Sequence, residues 1–315
     1  MRSPVVLITA SRAIAALERY RAAFAAAGVE MRTAASVERL AEHELLPLVG
    51  DVDALICGDD RVTRAVLDAA PKLRVIAKWG TGIDSIDLAE AGRRGVAVKN
   101  VPGAFSAPVA DSVLGLVLLF ARQADRMTDD IRRGEWTHRP LRALGECTLG
   151  IIGFGNIGQA VARRASAFGM RLLATTLGIP PRDVVEAYGV TMVPLERLLG
   201  DSDFVSLHAD MRPENRHLID EARLRLMRPT ACLINTARGG LVDEAALTDA
   251  LREGRLAGAG LDVFADEPLA ESSPLRGLPN VYLSPHNTNA SPLAADRVHQ
   301  TTIEHVLQML ASPRS

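Results

Sequence analysis

Short β-branched runs alternate with alanine-rich, helix-periodic stretches along the whole chain, and this alternation constrains the fold more than any other feature. Apolar runs at 5–9, 29–33, 54–57, 74–78 and 96–99 are short and bounded by Gly, Pro or Asp, which predicts strands. A second series follows at 148–152, 171–175, 204–207, 232–235, 258–263 and 281–283. Helical spacing predicts helices over 14–26, 109–126, 157–168 and 292–310. Strands separated by helices pair in parallel, with helices covering both faces. The fold class is therefore α/β, with two doubly wound parallel sheets. A prior of roughly 150 residues per domain also gives two domains for 315 residues. Periodicity breaks at 99–107, and the last helix is expected to return to the first domain. The expected division is 1–100 with 287–315, and 101–286. There is no short internal repeat and no low-complexity segment beyond an Ala and Arg bias.

Composition excludes several function classes. Lys and Arg total 36 against 38 Asp and Glu, a formal charge of −2. No basic surface dominates, so neither nucleic acid nor an anionic membrane is an expected partner. Aromatics make up only 4%, too few for a base-stacking surface. Cys57, Cys147 and Cys232 are scattered and form no CxxC pair, so neither a disulfide framework nor a zinc site is indicated, and a reducing cytoplasm is the expected location. The apolar run at 4–8 is too short for a signal peptide. The run at 113–121 falls far below the roughly 20 residues that span a bilayer. Residues 109–120 are apolar nearly all round, more than one domain face requires, which predicts a homodimer that buries them.

The sharpest local signal is Gly153-Phe154-Gly155-Asn156-Ile157-Gly158, placed directly after one strand and before one helix. A tight turn needs Gly153. Gly155 lets backbone approach a pyrophosphate, and Gly158 lets the helix pack on the strand. The helix start at Asn156 and Ile157 offers N–H groups and a positive dipole end. The cofactor class is a dinucleotide. An acidic residue about 20 residues on usually holds the ribose 2′-hydroxyl of NAD, but Thr176 stands there. Two readings are open: NADP, with Arg182 or Arg212 as phosphate partners, or NAD with a weaker ribose contact.

Three later strands each lead to an ionisable residue: Arg238 after 232–235, Glu267 after 258–263, and His286 after 281–283. Ligands of open parallel sheets bind beyond the carboxyl ends of strands, where these three side chains can converge. With these residues in view, the chain resembles the D-isomer-specific 2-hydroxyacid dehydrogenase family. The resemblance is carried by residues 149–158, by Asn235-Thr236-Ala237-Arg238-Gly239-Gly240, by Leu261-Asp262-Val263-Phe264-Ala265-Asp266-Glu267-Pro268 and by Ser284-Pro285-His286. Upstream, Lys78-Trp79-Gly80-Thr81-Gly82 looks like the family's substrate loop.

The resemblance implies a Rossmann dinucleotide-binding domain inserted into a flavodoxin-like substrate domain. It implies hydride transfer between NAD or NADP and a small 2-hydroxy or 2-keto acid. His286 would be the acid–base group. Glu267 would stabilise its imidazolium and fix its tautomer. Arg238 would hold the substrate carboxylate or polarise the carbonyl. Backbone N–H groups of Thr81 and Gly82 would take the carboxylate from the other domain, with water excluded between the two. Asp262 would meet the nicotinamide carboxamide, Thr236 and Ala237 the nicotinamide ribose, and His208 the cofactor. Lys78 stands where a substrate phosphate or second carboxylate could be met. The chain departs from the family pattern at Thr176, at Asp210-Met211-Arg212 after His208, and at Asn287-Thr288-Asn289 after His286. The amides after His286 either read a polar substrate tail or satisfy loop backbone. A non-enzymatic NAD(H)-sensing, corepressor-like protein on the same fold is the alternative reading.

Overall fold

A computed structural model describes residues 2–34 and 39–312. The chain divides into two compact units, 1–105 with 291–315, and 106–290. These cuts lie four or five residues beyond the expected ones, because helices begin there: α1 (Ser106–Arg122) opens the second unit, and Ser291 caps the helix Pro292–Ala311 with its hydroxyl.

The first unit carries β1 (Val5–Ile8), β2 (Glu30–Thr33), β3 (Ala54–Cys57), β4 (Val75–Lys78) and β5 (Ala97–Lys99), in the spatial order β2-β1-β3-β4-β5. Every pairing is parallel. β1, β3 and β4 are wholly buried, as helix-covered parallel strands are. Leu7, Leu55 and Ile76 lie in the core cluster of this unit. The helix predicted over 14–26 is broken into Ser11–Ala15, a 3-10 turn at Leu17–Tyr20, and Arg21–Ala26. Arg19 pairs with Asp296, Tyr20 packs on His299, and Phe24 is fully buried.

The second unit carries β6 (Thr148–Ile152), β7 (Arg171–Thr175), β8 (Val190–Met192), β9 (Phe204–Leu207), β10 (Cys232–Asn235), β11 (Gly258–Leu261) and β12 (Val281–Leu283). Their order is β12-β11-β10-β9-β6-β7-β8, again all parallel. The direction of winding reverses between β6 and β9, the switch point where ligands of such sheets bind. The predicted helix over 109–126 ends at Arg122, because Gln123 takes a left-handed conformation (φ 44). α2 (Ala124–Arg132) then turns away by 52°. Its first turn is tied to the sheet edge by Tyr282 Oη donating to Asp125 at 2.6 Å and Arg126 donating to the Pro279 carbonyl at 2.9 Å. Among the described residues, no single helix is long and apolar enough to cross a membrane. α1 packs on α3 (Asn156–Ala167) and buries Val109, Val113, Leu114 and Val117, while Phe120 meets Tyr282 edge-on at 4.8 Å.

Candidate active site

At the switch point the three glycines have three different physical reasons. Gly153 (φ 95) turns the chain out of β6, and a methyl group there would lie 2.5 Å from the His208 carbonyl carbon. A methyl group on Gly158 would sit 2.2 Å from the Gly153 carbonyl oxygen, so the first turn of α3 lies directly on the strand end. Gly155 differs, because a methyl group there would meet nothing within 4 Å. It faces open space at the N-terminus of a twelve-residue helix whose first N–H groups no side chain caps. An anion fits there on charge and on space. Two buried polar atoms at the neighbouring strand ends, His208 Nδ1 and Thr236 Oγ1, have no hydrogen-bond partner among the described residues. These features fit a dinucleotide. His208 stays neutral: burial pushes its pKa down to about 3, and Nε2 lies 2.9 Å from Ser206 Oγ.

Beyond β7, Thr176 is half-buried. Both cations considered for a 2′-phosphate already hold a carboxylate. Arg212 donates to Asp210 at 2.6 Å, and Arg182 lies 3.2 Å from Glu186 one helical turn away.

Adjacent strand ends carry the ionisable trio. Asn235, buried at the end of β10, braces the turn to Arg238. Its Nδ2 donates to the Arg238 carbonyl at 2.8 Å, and its Oδ1 accepts from Ala237 N at 3.1 Å. Gly239 follows, and a methyl group there would fall 1.9 Å from Phe264 C. The turn after β10 is thereby pressed against the backbone that follows β11. That backbone leads to Glu267, whose Oε1 accepts from Phe264 N at 3.0 Å and whose Oε2 lies 2.8 Å from His286 Nδ1. A carboxylate only accepts, so Nδ1 carries the proton of that bond. The two side chains are 18% and 22% exposed, dry enough to strengthen the pair and open enough to reach a ligand. His286 sits at φ 47, an unusual conformation for a residue with a Cβ.

The other expected site residues fall as follows. Asp262 is buried, and both its carboxylate oxygens are engaged by the segment 284–288. That segment includes Asn287 and Thr288, whose backbone N–H groups donate to Asp262. In the first unit, Lys78 is neither solvated nor in a loop. It ends β4 with 3% exposure, and its Nζ donates to the Gly58 carbonyl at 2.5 Å and to Asp59 at 2.6 Å. Thr81 and Gly82 lie in the turn after β4, where Asn100 Nδ2 holds the Thr81 carbonyl at 2.6 Å. Sequence reasoning gave no role to Asn235, Ser284 or Thr288. Their signal was their place beside the motif residues they brace. Burial pushes the Cys57 and Cys232 thiols up to about 12, which leaves them unreactive. Among the described residues, no group of three or more His, Cys, Asp or Glu is arranged to hold a metal.

Residues 114–288 match the family described as D-isomer specific 2-hydroxyacid dehydrogenase, NAD binding domain. The chain belongs to that family. An oxidoreductase activity with a nicotinamide cofactor, NAD or NADP, follows from the membership. The chain is 43% identical over 270 residues to a glyoxylate reductase of Korarchaeum cryptofilum, an alignment that spans 84% of this chain and 81% of that protein. A D-lactate dehydrogenase from Aquifex aeolicus, solved with NAD and lactic acid, superposes with a TM-score of 0.87 at 27% identity, covering 97% of this chain and 95% of the other. A glyoxylate/hydroxypyruvate reductase from Sinorhizobium meliloti, described as NADPH-dependent and solved with NADP and malonate, superposes at 0.80 with 29% identity, covering 100% and 96%.

Proposed function

We propose that this dehydrogenase reduces a small 2-keto acid of the glyoxylate or hydroxypyruvate type, with His286 as the proton donor. The observation that carries this reading is the 2.8 Å bond between His286 Nδ1 and Glu267. With Nδ1 committed to the carboxylate, proton exchange with a substrate falls to Nε2. Glu267 holds that tautomer and offsets the charge of the imidazolium. Arg238, fixed by Asn235 and Gly239, holds the substrate carboxylate with its planar donor fork. A nicotinamide dinucleotide, held by its pyrophosphate at the β6–α3 turn, would supply the hydride. Gly155, Asn156 and Ile157 would donate N–H groups to its pyrophosphate, Gly153 and Gly158 shape the turn that presents them, and His208, Thr236 and Ala237 would line the nucleotide. Thr176 takes the adenosine ribose. Because Arg212 is already paired with Asp210, the reading favours NAD over NADP.

The test is oxidation of NADH and NADPH with glyoxylate, hydroxypyruvate and phosphohydroxypyruvate, by the native chain and by His286→Ala. Loss of a general acid costs roughly 10²–10⁴-fold in turnover, with cofactor affinity little changed. No turnover on any keto acid, with cofactor still bound, would overturn the reading in favour of a sensor.

We also propose a homodimer. One end of α1 borders a cavity of about 450 Å³ lined by Leu119, Phe120, Arg126 and Tyr282. Trp136 is 83% exposed in the same unit. Light scattering that gives a monomer at micromolar concentration would remove this proposal.

A further inference from the structure

The helix Pro292–Ala311 is fastened to the first sheet by the two residues that flank β4. Arg74 stands just before the strand. Its guanidinium donates to the carbonyls of Leu310 at 3.2 Å, of Met309 at 2.8 Å and of Ser312. The last carbonyls of a helix have no partner within it, so this cation satisfies them and complements the helix dipole. Trp79 stands just after the strand and is 7% exposed. Its indole N–H donates to His299 Nδ1 at 3.0 Å, and its ring packs on those of His299 and Phe105.

The Trp79 bond works in one proton state only. A ring nitrogen that accepts from an indole N–H carries no hydrogen, so His299 is neutral, with its proton on Nε2. A second proton on Nδ1 would set two N–H groups face to face. Further along the same helix, His305 Nδ1 is buried with no hydrogen-bond partner among the described residues. Charging this ring puts a donor there with nothing to accept from it. The charged and titratable groups around the two rings are Arg19 and Tyr20 from the segment after β1, Arg12 over the Trp79 ring, Lys99 at the end of β5, and Asp296 and Glu304 of the helix itself. Burial holds both histidines below their ordinary pKa. Arg19 adds to this at His299 and Lys99 at His305, while Asp296 and Glu304 work against it.

We propose that the helix Pro292–Ala311 is an acid-released strap, held on the first sheet while His299 and His305 are neutral and freed when they take up protons. β3 and β4 keep their strand neighbours on both sides when the helix leaves, so the opening is local. Above about pH 6.5 neither the attached nor the released rings bind a proton, and the hold is full. Below it the released rings take up protons that the attached rings refuse, and the hold weakens as pH falls through their lowered values.

Hydrogen exchange of the full chain tests the strap from about pH 7.5 to 5, corrected for the intrinsic pH dependence of exchange. Each proton taken up on release raises the opening constant about tenfold per pH unit, so two histidines give up to about a hundredfold per unit over residues 292–311. Glutamine offers the indole an acceptor and cannot be charged. His299→Gln and His305→Gln should each reduce the slope to about tenfold per unit, and the double variant should flatten it. Trp79 and Trp136 are the only two tryptophans, so in Trp136→Phe the emission belongs to Trp79. It should shift to the red over the same pH range, and stay in place once both glutamines are added. A double variant with the native slope, or a native helix whose protection ignores pH, would overturn the strap. An equal slope in β3, residues 54–57, would overturn it too, because the whole unit would then be unfolding. Should the double variant fail to fold, native slopes in both single variants overturn it alone.

Discussion

The two sheets are built alike at their amino edges and differently at their carboxyl edges. Asp53 precedes β3, and its carboxylate accepts from Val5 N, the first residue of β1, at 2.8 Å. Asp203 precedes β9, and its carboxylate accepts from Thr148 N, the first residue of β6, at 2.7 Å. Each aspartate also donates its N–H to that strand's first carbonyl and accepts from the strand on its other side, Arg74 N or Cys232 N. Each pairs with an arginine from just before its unit's first strand, Arg2 at 2.9 Å and Arg142 at 2.7 Å. At the opposite edge, β6 runs through Gly153 into a twelve-residue helix with an open N-terminus. β1 runs through Ala10 into a five-residue one. The amino edge fixes register, where a one-residue slip would turn every side chain over. The other edge is then left to differ, and only one unit has the geometry for a dinucleotide.

The largest expected effect comes from the edge that differs. Gly158→Ala drives a methyl group into the Gly153 carbonyl and should lower the melting temperature of the second unit sharply or prevent its folding. Gly155→Ala meets nothing and should melt as the native chain does, while NADH affinity falls at least about tenfold because the added group stands where the pyrophosphate passes. If calorimetry and titration find the two variants alike, the assignment of separate roles to these glycines is broken. At the matched edges, Asp53→Asn and Asp203→Asn should each cost about 1–3 kcal/mol in urea unfolding. A silent variant at either place would end the equivalence. At Asp203, burial works to raise the carboxyl pKa, but Arg142, Thr148 N–H and Arg228 outweigh it and hold it below the usual range. Its stabilising contribution is therefore present at neutral pH and lost on acidification through that lowered value.

A pH-dependent effect concerns His208, whose counterpart after β3 is Gly58. The unfolded chain takes up a proton on this ring below about pH 6.5, whereas the folded ring refuses it until about 3. Stability is thus full above that range and falls as pH drops through it, by roughly 1.4 kcal/mol per unit. His208→Gln should flatten this slope in denaturant titrations between pH 6.5 and 5.

Much of the architecture was legible because strands buried on both faces read as unbroken apolar runs. The strands at 54–57, 148–152, 171–175, 204–207 and 232–235 coincide with those observed, as does the less buried edge strand at 281–283. β8 escaped notice, since three residues, of which only Val190 is buried, carry too little pattern. The two broken helices carry no local mark of their breaks: one ends where Gln123 turns left-handed, and the other is interrupted by a 3-10 turn at Leu17–Tyr20. In the site, the glycine turn was readable because its constraint is local. The hydrogen bonds around Asp262 were not, because its donors lie 22 to 26 residues further along. The parallel between Asp53 and Asp203 was hidden for a similar reason. Gly50-Asp51-Val52-Asp53 and Gly200-Asp201-Ser202-Asp203 are too short to read as a repeat until both aspartates are placed opposite the first strand of their own sheet.

The discontinuity of the first unit has a consequence for synthesis. β4 is covered by the helix Pro292–Ala311, and Trp79, next after β4, donates its indole N–H to His299 at 3.0 Å. A ribosome releases residues 1–105 early, yet the covering helix emerges last, after the whole of 106–290. Domains generally fold as units while the chain grows, so the later-made unit has every one of its residues before the earlier one does. Until then residues 1–105 must keep the face of β4 that this helix covers from their neighbours.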